Sequence, residues 1–493
     1  MKQTSVKKNF IMNALLTMSS FIFPLITFPY VSTILSPSGY GSVTFATSVI
    51  TYFSMFAQLG IPTYGIRACA QVRDDKEKLS RTTQELFIIN LMMSILAYIV
   101  FFICLFKVPR LAEEKPLFLI ISLLIMFNCI GMEWLYKGLE QYTYITIRSV
   151  LFKFIALLAM FALIHAKSDY VIYGAISIFA SSASSLLNFI YARKFIIVKP
   201  MGHYNFKRHL RPIGIFFAMS CATTVYTNLD TVMLGFMKTN TDVGYYQAAV
   251  KIKTVLVSIV TSLGTVLLPR ASYYIEHNEK EQFENITKKA LNFVILISIP
   301  LAVYFTLFAS DGIYFLSSQD YTGAIRPMQI IMPTLIFIGL TNILGMQILV
   351  PTGNEICVLY SEVAGGIVDF IINLILIPSM ASSGAAIGTL VAEFVVLIVQ
   401  LHYTKDFVAD IFKSFNYFRI LISLAVSIFI SSFFKDLQIL SSLRWNSFLV
   451  IVITGIIFFG IYGLLLLFMK EPFVIEIKND LLRRFKGEKH EKV

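Results

Sequence analysis

Charged side chains are scarce in this sequence, and their scarcity excludes most classes of soluble protein. Aspartate, glutamate, lysine and arginine make up 14% of the 493 residues, against about 25% in soluble domains. Hydrophobic residues make up 57%, and apolar stretches of roughly 20 residues, long enough to cross a bilayer, recur along the chain. The composition therefore predicts an all-α polytopic membrane protein with about 14 transmembrane helices.

The sequence also lacks the motifs of enzymes and metal sites. It contains no HExxH, GxxxxGK[ST], GxGxxG or GxSxG, and its six histidines are scattered. Five cysteines stand far apart without a CxxC motif, at Cys69, Cys104, Cys129, Cys221 and Cys357. Isolated cysteines of this kind are interpreted as small packing residues. These absences argue against an enzyme, a metal site and a built-in ATPase.

The net charge of +12 comes from the loops. Most of the 41 lysines and arginines fall in and beside alternate loops, and an excess of this kind marks the cytoplasmic side of a membrane protein. The distribution predicts that both termini are cytoplasmic, and it argues against a nucleic-acid partner.

A faint internal repeat divides the chain. Gly41 and Gly244 each follow a short turn, and Arg67 and Arg270 end the next span with the same spacing. The basic stretch 193–212 lies between the two halves. The repeat predicts two six-helix lobes with a cavity between them, at residues 1–212 and 213–416, with spans 13 and 14 and the tail at residues 417–493.

Several charges lie inside predicted spans, above all in the stretch 213–268, which contains spans 213–237 and 244–268. A charge at the centre of a bilayer costs about 2.5–3.5 kcal/mol on insertion scales, so such residues face protein or water and often mark a substrate pathway. The candidate substrate-binding residues are Lys251, Lys253, Lys153, Arg148 and Asp230.

Three of these residues have structural alternatives. Arg148 lies about one turn inside its span and could extend back to the interface. Asp230 and Lys251 share a depth and could form an ion pair, which would make both structural.

Other residues in the spans could carry ions or allow bending. Asp230, Asp369 and Glu393 could take up H⁺ or Na⁺, although no motif supports ion coupling, and no other cofactor is expected. Pro24 and Pro29 each remove a backbone hydrogen bond from the first span, so they are candidates for a hinge or for a static kink.

Two stretches resemble a known family. They are GMEWLYKGLEQYTYITIRS at 131–149 and NLDTVMLG…VGYYQAAVKI at 228–252. Both are similar to signature stretches of the Wzx-type polysaccharide repeat-unit flippases, within the multidrug/oligosaccharidyl-lipid/polysaccharide (MOP) exporter superfamily. The resemblance covers essentially the whole chain. It implies a MATE-like fold with two lobes around a cationic cavity.

The resemblance also implies a function. The expected protein moves an oligosaccharide on undecaprenyl pyrophosphate from the cytoplasmic to the outer leaflet by alternating access, for capsule, O-antigen or teichoic-type biosynthesis. It would lie in the bacterial cytoplasmic membrane, in contact with lipids and in some cases with a polymerase and assembly proteins. Two alternatives stay open: a cation-coupled exporter of drugs or other small molecules, and a non-transporting scaffold of a polysaccharide assembly complex.

The expected cargo assigns roles to polar residues. A pyrophosphate needs lysine or arginine inside a water-filled cleft. Sugar hydroxyls could be bound by uncharged side chains such as Tyr52, Tyr226, Asn228 and Gln247.

Overall fold

The computed structural model describes residues 6–435 and 442–485, and within these ranges the chain is built of helices without strands. Contacts divide it into two compact units, Met1–Gln247 and Ala248–Val493. An all-helical fold is the physical expectation for a chain in lipid, because a helix satisfies its own backbone hydrogen bonds. The division into lobes at residue 212 stays a prediction.

Unit 1 contains ten helices and the start of an eleventh. Their bounds are α1 Val6–Gln58, α2 Ile61–Gln71, α3 Lys76–Lys107, α4 Pro109–Ala112, α5 Lys115–Gly131, α6 Glu133–Gly138, α7 Tyr142–Leu163, α8 Tyr170–Ile178, α9 Ser185–Tyr191, α10 Lys207–Met237 and α11 Asn240–Glu276. The unit boundary falls inside α11. Helix α1 packs against α3, α5, α7 and α10, so it is the central helix of the unit.

Unit 2 contains the rest of α11 and eight further helices. Their bounds are α12 Lys280–Leu307, α13 Ala309–Leu316, α14 Ile325–Ile331, α15 Thr334–Ile343, α16 Glu355–Lys413, α17 Tyr417–Ser432, α18 Leu443–Phe468 and α19 Pro472–Phe485. Tyr304 is buried in the core of this unit, and its hydroxyl lies 2.7 Å from Ile451 O and 2.9 Å from Thr454 Oγ1.

Two of the long helices are broken. The dihedral angles leave the helical region at Ser36 in α1 (φ 62°, ψ 169°) and at Ala381 in α16 (φ 48°, ψ −126°). In α1 the rings of Phe28 and Tyr40, on either side of the break, lie 5.0 Å apart between centroids. In α16, a Cβ on Gly384 would lie 2.6 Å from Leu376 O. Each of these helices therefore folds back at its break.

The helices confirm a multi-pass membrane protein. Nine helices in the described ranges are long and apolar enough to cross a bilayer, or ten if the bent pair Gln319–Ile331 and Thr334–Leu349 counts as one span. The broken helices α1 and α16 are each counted as one span, and α17, with 16 residues, is too short to be counted as a span. The predicted number of about 14 spans is compatible with this set.

Candidate functional site

Lys153, in α7, contacts α1 through its ammonium group. Its Nζ donates to Ser19 Oγ and to Ser20 Oγ, both at 2.9 Å. Those hydroxyls donate in turn to Leu16 O, at 2.7 and 3.1 Å. An ammonium has three N–H donors, and the two hydroxyls carry no charge. Among the described residues no carboxylate forms an ion pair with Lys153, although the charge of Glu133 acts on it from a longer distance.

The Lys153 site is open on one side. Lys153 is half-buried, and Ser20 is exposed. Within the same helix, Leu151 and Phe154 are also exposed. A charged or polar group of another molecule can therefore reach the third N–H of the ammonium.

Arg148 is enclosed instead. Its guanidinium donates to Asn188 Oδ1, lies 3.7 Å from Glu133 Oε2 and stands over the ring of Tyr144. The Arg148 side chain is 5% exposed, whereas that of Glu133 is 44% exposed. Asn188 also donates to Gly131 O at 2.7 Å. This arrangement ties α7 to α5, α6 and α9, and the assignment of Arg148 to substrate binding stays a prediction.

Asp230 is buried in α10 and accepts a hydrogen bond from the hydroxyl of Tyr246 in α11. The next residues along both helices form a second hydrogen bond between α10 and α11, in which Gln247 Nε2 donates to Thr231 Oγ1 at 2.5 Å. Asp230 lies in unit 1 and Lys251 in unit 2, and the ion pair between them stays a prediction. Sequence reasoning missed Tyr246 as a partner, although the turn between α10 and α11 is short enough to bring the two together.

Lys251 and Lys253 lie in the part of α11 that belongs to unit 2. Both are half-buried, and buried Ile252 stands between them. Neither ammonium has a hydrogen bond or ion pair within residues 6–435 and 442–485. A charge at this depth is costly without water or an anion, so these lysines remain candidates for an anionic cargo.

Asp369 and Glu393 lie in the two halves of α16, and both are buried. Asn373 Nδ2 donates to Asp369 Oδ1 at 3.1 Å. A Cβ on Gly388 would lie 2.2 Å from Asn373 Oδ1, so the glycine lets the two halves pack closely. Within the described residues no three His, Cys, Asp or Glu side chains are placed to hold a metal ion. Ion coupling stays a prediction.

Pro24 and Pro29 lie within the first half of α1, which stays helical through both. The hydroxyl of Thr33 donates to Pro29 O at 2.8 Å. The observed break is at Ser36, seven residues beyond Pro29 in the printed sequence. A hinge at the prolines stays a prediction.

The four proposed sugar-binding residues are mostly engaged within the protein. Tyr52 donates to Val225 O at 3.4 Å, and Asn228 donates to Thr224 O at 3.1 Å. Gln247 is bound to Thr231. Tyr226 also has an interaction within the chain. Their assignment to sugar hydroxyls stays a prediction.

Sequence reasoning missed a buried carboxylate, Glu85 in α3. Glu85 is fully buried and accepts from Asn205 N at 2.6 Å, from Arg208 Nη2 at 2.5 Å and from His209 Nε2 at 2.8 Å. His209 Nδ1 lies 2.8 Å from the hydroxyl of Tyr64. One signal was present, because the basic stretch 193–212 needs an acidic partner.

Residues 197–209, here called the strap, are bound along α3. Ile197 N donates to Ser80 Oγ at 2.8 Å, and Gln84 Nε2 donates to Ile197 O at 2.7 Å and to Lys199 O at 2.9 Å. His209 precedes the predicted span 213–237. The pKa of His209 is lowered, mainly because the side chain is buried. The hydrogen bond to Glu85 raises this pKa, and the charge of Arg208 lowers it further.

A second network, here called the clasp, lies beyond the other end of α3. Arg110 Nε donates to Gly235 O at 2.8 Å, and Arg110 Nη2 donates to Asn240 Oδ1 at 2.5 Å. Asn240 Nδ2 donates to Ser42 Oγ at 2.6 Å, and Ser42 donates to Glu114 Oε1 at 3.1 Å. The clasp joins α1, the α4 region and the turn between α10 and α11.

Two glycines allow the close approach at the clasp. A Cβ on Gly41 would lie 1.8 Å from Asn240 O, and a Cβ on Gly244 would lie 2.1 Å from Pro37 O. These are the same two glycines that the internal repeat pairs. Any larger side chain at either position would separate the turn from α1.

Comparison with known proteins gives two family matches. A family model described as polysaccharide biosynthesis protein matches residues 6–275. A second model, MatE, matches residues 216–375. The chain is 24% identical over 408 residues to the "Putative O-antigen transporter" of Escherichia coli (strain K12), covering 82% of this chain and 97% of that protein.

Two solved structures share the fold. One is a lipid II flippase MurJ in an inward closed conformation, with a TM-score of 0.72 and 18% identity, covering 96% of this chain and all of that one. The other is an inward-facing multidrug resistance MATE family transporter of the MOP superfamily, with a TM-score of 0.60 and 14% identity, covering 82% of this chain and 99% of that one. The predicted MATE-like, MOP-type fold is thereby confirmed.

Proposed function

The chain belongs to the family of polysaccharide biosynthesis proteins, and from this premise we propose that it is a flippase for lipid-linked oligosaccharides. It moves a repeat unit on undecaprenyl pyrophosphate from the cytoplasmic to the outer leaflet by alternating access. The product serves the synthesis of a surface polysaccharide such as a capsule, an O-antigen or a teichoic-type glycan. A transporter, rather than an enzyme, agrees with the names of the relatives.

The observation that carries the proposal is the Lys153 site. The ammonium of Lys153 offers an anion one positive charge and the one N–H that Ser19 and Ser20 do not accept. A pyrophosphate is an anion of this kind, and its oxygens accept charge-assisted hydrogen bonds, which are stronger than neutral ones. Lys251 and Lys253 add uncompensated positive charge in unit 2.

The membrane potential supplies a driving force. With the cell interior negative, moving one negative charge outward across the full potential gains about 2.3 kcal/mol per 100 mV. A doubly charged pyrophosphate gains about twice that amount. Transport therefore needs no ATP site, and proton or Na⁺ coupling through Asp230, Asp369 or Glu393 is an additional proposal.

The proposed orientation follows the basic residues. Both termini and the strap lie on the cytoplasmic side of a bacterial cytoplasmic membrane, and the clasp lies on the outer side. A polysaccharide polymerase and assembly proteins are proposed as partners that take over the flipped repeat unit.

A second candidate function is an exporter of cationic drugs, which the MatE match over 216–375 favours. A cationic drug needs an acidic site that it can reach. Asp230, Asp369 and Glu393 are each at most 8% exposed, whereas Lys153 is accessible. Among these candidate residues the accessible charge is positive, which favours an anionic cargo.

Depletion of the protein tests the proposal. Lipid-linked oligosaccharide should accumulate on the cytoplasmic leaflet, as measured by the sidedness of its labelling in vesicles. The variant Lys153→Met should fail to restore surface polysaccharide at a normal protein level, and Lys251→Ala or Lys253→Ala should do the same. Lys78→Met, at a lysine that is 71% exposed, is the control and should restore it.

Normal outward appearance of the oligosaccharide during depletion, with altered drug tolerance instead, would replace the flippase by the exporter. Full polysaccharide in all three lysine variants would remove these residues from the mechanism.

A further inference from the structure

Unit 1 contains a cavity that the sequence motifs did not predict. It has a volume of about 190 Å³, smaller than the roughly 300–1,000 Å³ of a site for a drug-sized ligand, so it has room for one small group. Helices α1, α2, α5 and α10 form its walls. Its polar lining residues are Thr51, Ser54, Gln58, Asn128, Ser220 and Thr224.

The cavity is polar but carries no ionisable side chain. The remaining lining residues are Met55, Gly60, Pro62 and Leu124. A phosphate would find no cation there, and a cationic drug would find no carboxylate. A hydrocarbon tail would strip water from hydroxyls and amides without replacing those hydrogen bonds, which is unfavourable.

The amide groups in the cavity are held in one orientation. Buried Ser54 Oγ accepts from Gln58 Nε2 at 2.9 Å and from Asn128 Nδ2 at 3.0 Å. With both nitrogens engaged on the same oxygen, Gln58 Oε1 and Asn128 Oδ1 are the atoms left to accept from a ligand. The site therefore presents two fixed acceptors.

Donors lie on the opposite wall. The hydroxyls of Ser220 and Thr224, in α10, have no hydrogen-bond partner among the described residues. A hydroxyl can donate one hydrogen bond and accept others. The cavity thus offers acceptors on α1 and α5 and adaptable hydroxyls on α10.

A glycine just after the end of α1, Gly60, allows α10 to approach α1 closely beside the cavity. Gly60 has a φ of 71°, and a Cβ at this position would lie 2.5 Å from Phe216 C. Only glycine meets both conditions, the left-handed backbone and the close approach of α10. The opposing donors and acceptors are therefore held at a fixed separation.

We propose that this cavity is a glycan subsite, which binds one sugar of the repeat unit through its hydroxyls. Sugar hydroxyls both donate and accept, as the two walls require, and they carry no charge. The inference rests on the proposed flippase function and adds that the sugar and the pyrophosphate are recognised by separate groups, the neutral cavity and the lysines.

Two lipids test the subsite. One is the lipid-linked oligosaccharide extracted from cells depleted of the protein, and the other is undecaprenyl pyrophosphate without sugar. Their binding to the purified full-length protein is measured by native mass spectrometry. The double variant Ser220→Ala/Thr224→Val removes hydroxyls that bind nothing in the protein, so the fold is retained. Asn128→Leu removes a fixed acceptor, and Asn354→Leu, on an exposed turn, is the control.

Asn128→Leu should bind the oligosaccharide lipid about threefold to tenfold more weakly, the effect of one lost hydrogen bond, and the double variant, which removes two hydroxyls, should bind it at least as weakly. Both should bind sugar-free undecaprenyl pyrophosphate as the wild type does, and Asn354→Leu should bind both lipids normally. Unchanged binding of the oligosaccharide lipid in both variants, or equal weakening for both lipids, would overturn the subsite. Absence of any accumulated lipid-linked oligosaccharide on depletion would instead overturn the flippase itself.

Discussion

Replacing Glu85 by leucine should release the strap from α3. The carboxylate accepts from the backbone of Asn205 and from the side chains of Arg208 and His209. Hydrogen bonds to a charged group contribute about 1.5–3 kcal/mol each. The Arg208 side chain is 44% exposed, so solvent screening reduces its share. A loss of about 3–5 kcal/mol is expected, the range for removing one partner of a buried pair.

Limited proteolysis measures this release directly. Trypsin cleaves after lysine and arginine except before proline, and Arg193, Lys194, Lys207 and Arg208 lie in or beside the strap. The Glu85→Leu variant in detergent should be cut in this stretch under conditions in which the wild type is protected, and thermal unfolding should begin at a lower temperature. The control is Asp410→Leu, which removes an ion pair to Lys413 whose side chains are 86% and 76% exposed.

The control should behave as the wild type, because an exposed pair contributes little. If Glu85→Leu keeps its protection from trypsin and unfolds within about 1 kcal/mol of the wild type, the strap is held by other contacts and the assignment to Glu85 is wrong.

Three further predictions concern packing, the clasp and pH. Gly388→Ala should lower the yield of monodisperse protein on size exclusion, because the new Cβ would lie 2.2 Å from Asn373 Oδ1. Arg110→Lys should lower the thermal midpoint, because lysine keeps the charge but cannot reach both Gly235 O and Asn240 Oδ1. The pKa of His209 is lowered in the folded state, so the folded state binds fewer protons than the unfolded one. The contribution of His209 to the free energy of unfolding should therefore be fully present above about pH 6.5 and should be lost as the pH falls below that value.

Each of these predictions has a matched control. Gly460→Ala, where a Cβ meets nothing within 4 Å, should leave the yield unchanged. Arg326→Lys, at an exposed position, should leave the thermal midpoint unchanged. His209→Gln should flatten the acid side of the stability curve. An equal pH dependence in this variant would show that another group titrates, and equal effects in either control would contradict the packing arguments.

The helical fold could be predicted because lipid leaves few options. Apolar runs of the required length specify spans, and each span satisfies its backbone internally. Gly41 and Gly244 were found as repeat markers, and the structure gives their reason, since both let backbones approach at the clasp. The breaks at Ser36 and Ala381 are harder to predict, because both are ordinary residues at positive φ.

Partners of charged residues could not be predicted, because they come from distant parts of the chain. Lys153 was expected to face a cavity, but its contacts with Ser19 and Ser20 are 134 and 133 residues away. Arg148 was expected to bind substrate or to extend to the interface, and the partners that enclose it come from two other helices, at Asn188 in α9 and Glu133 in α6. Glu85 escaped notice because it stands near the start of a span, where a carboxylate is usually solvated.

The strap has a consequence for how this chain tolerates change over evolution. Between residues 197 and 205 its contacts with α3 use backbone atoms at four positions and one side chain, the hydroxyl of Tyr204, which donates to Gln84 Oε1 at 2.8 Å; the backbone positions are Ile197, Lys199, Met201 and Asn205. Most other side chains here can be exchanged without loss of a bond, whereas one inserted or deleted residue would shift the register between the anchors. Related chains that keep this attachment should therefore vary in composition across 197–205, except at Tyr204 and at Gly202 with its φ of 65°, while keeping the length of the segment constant.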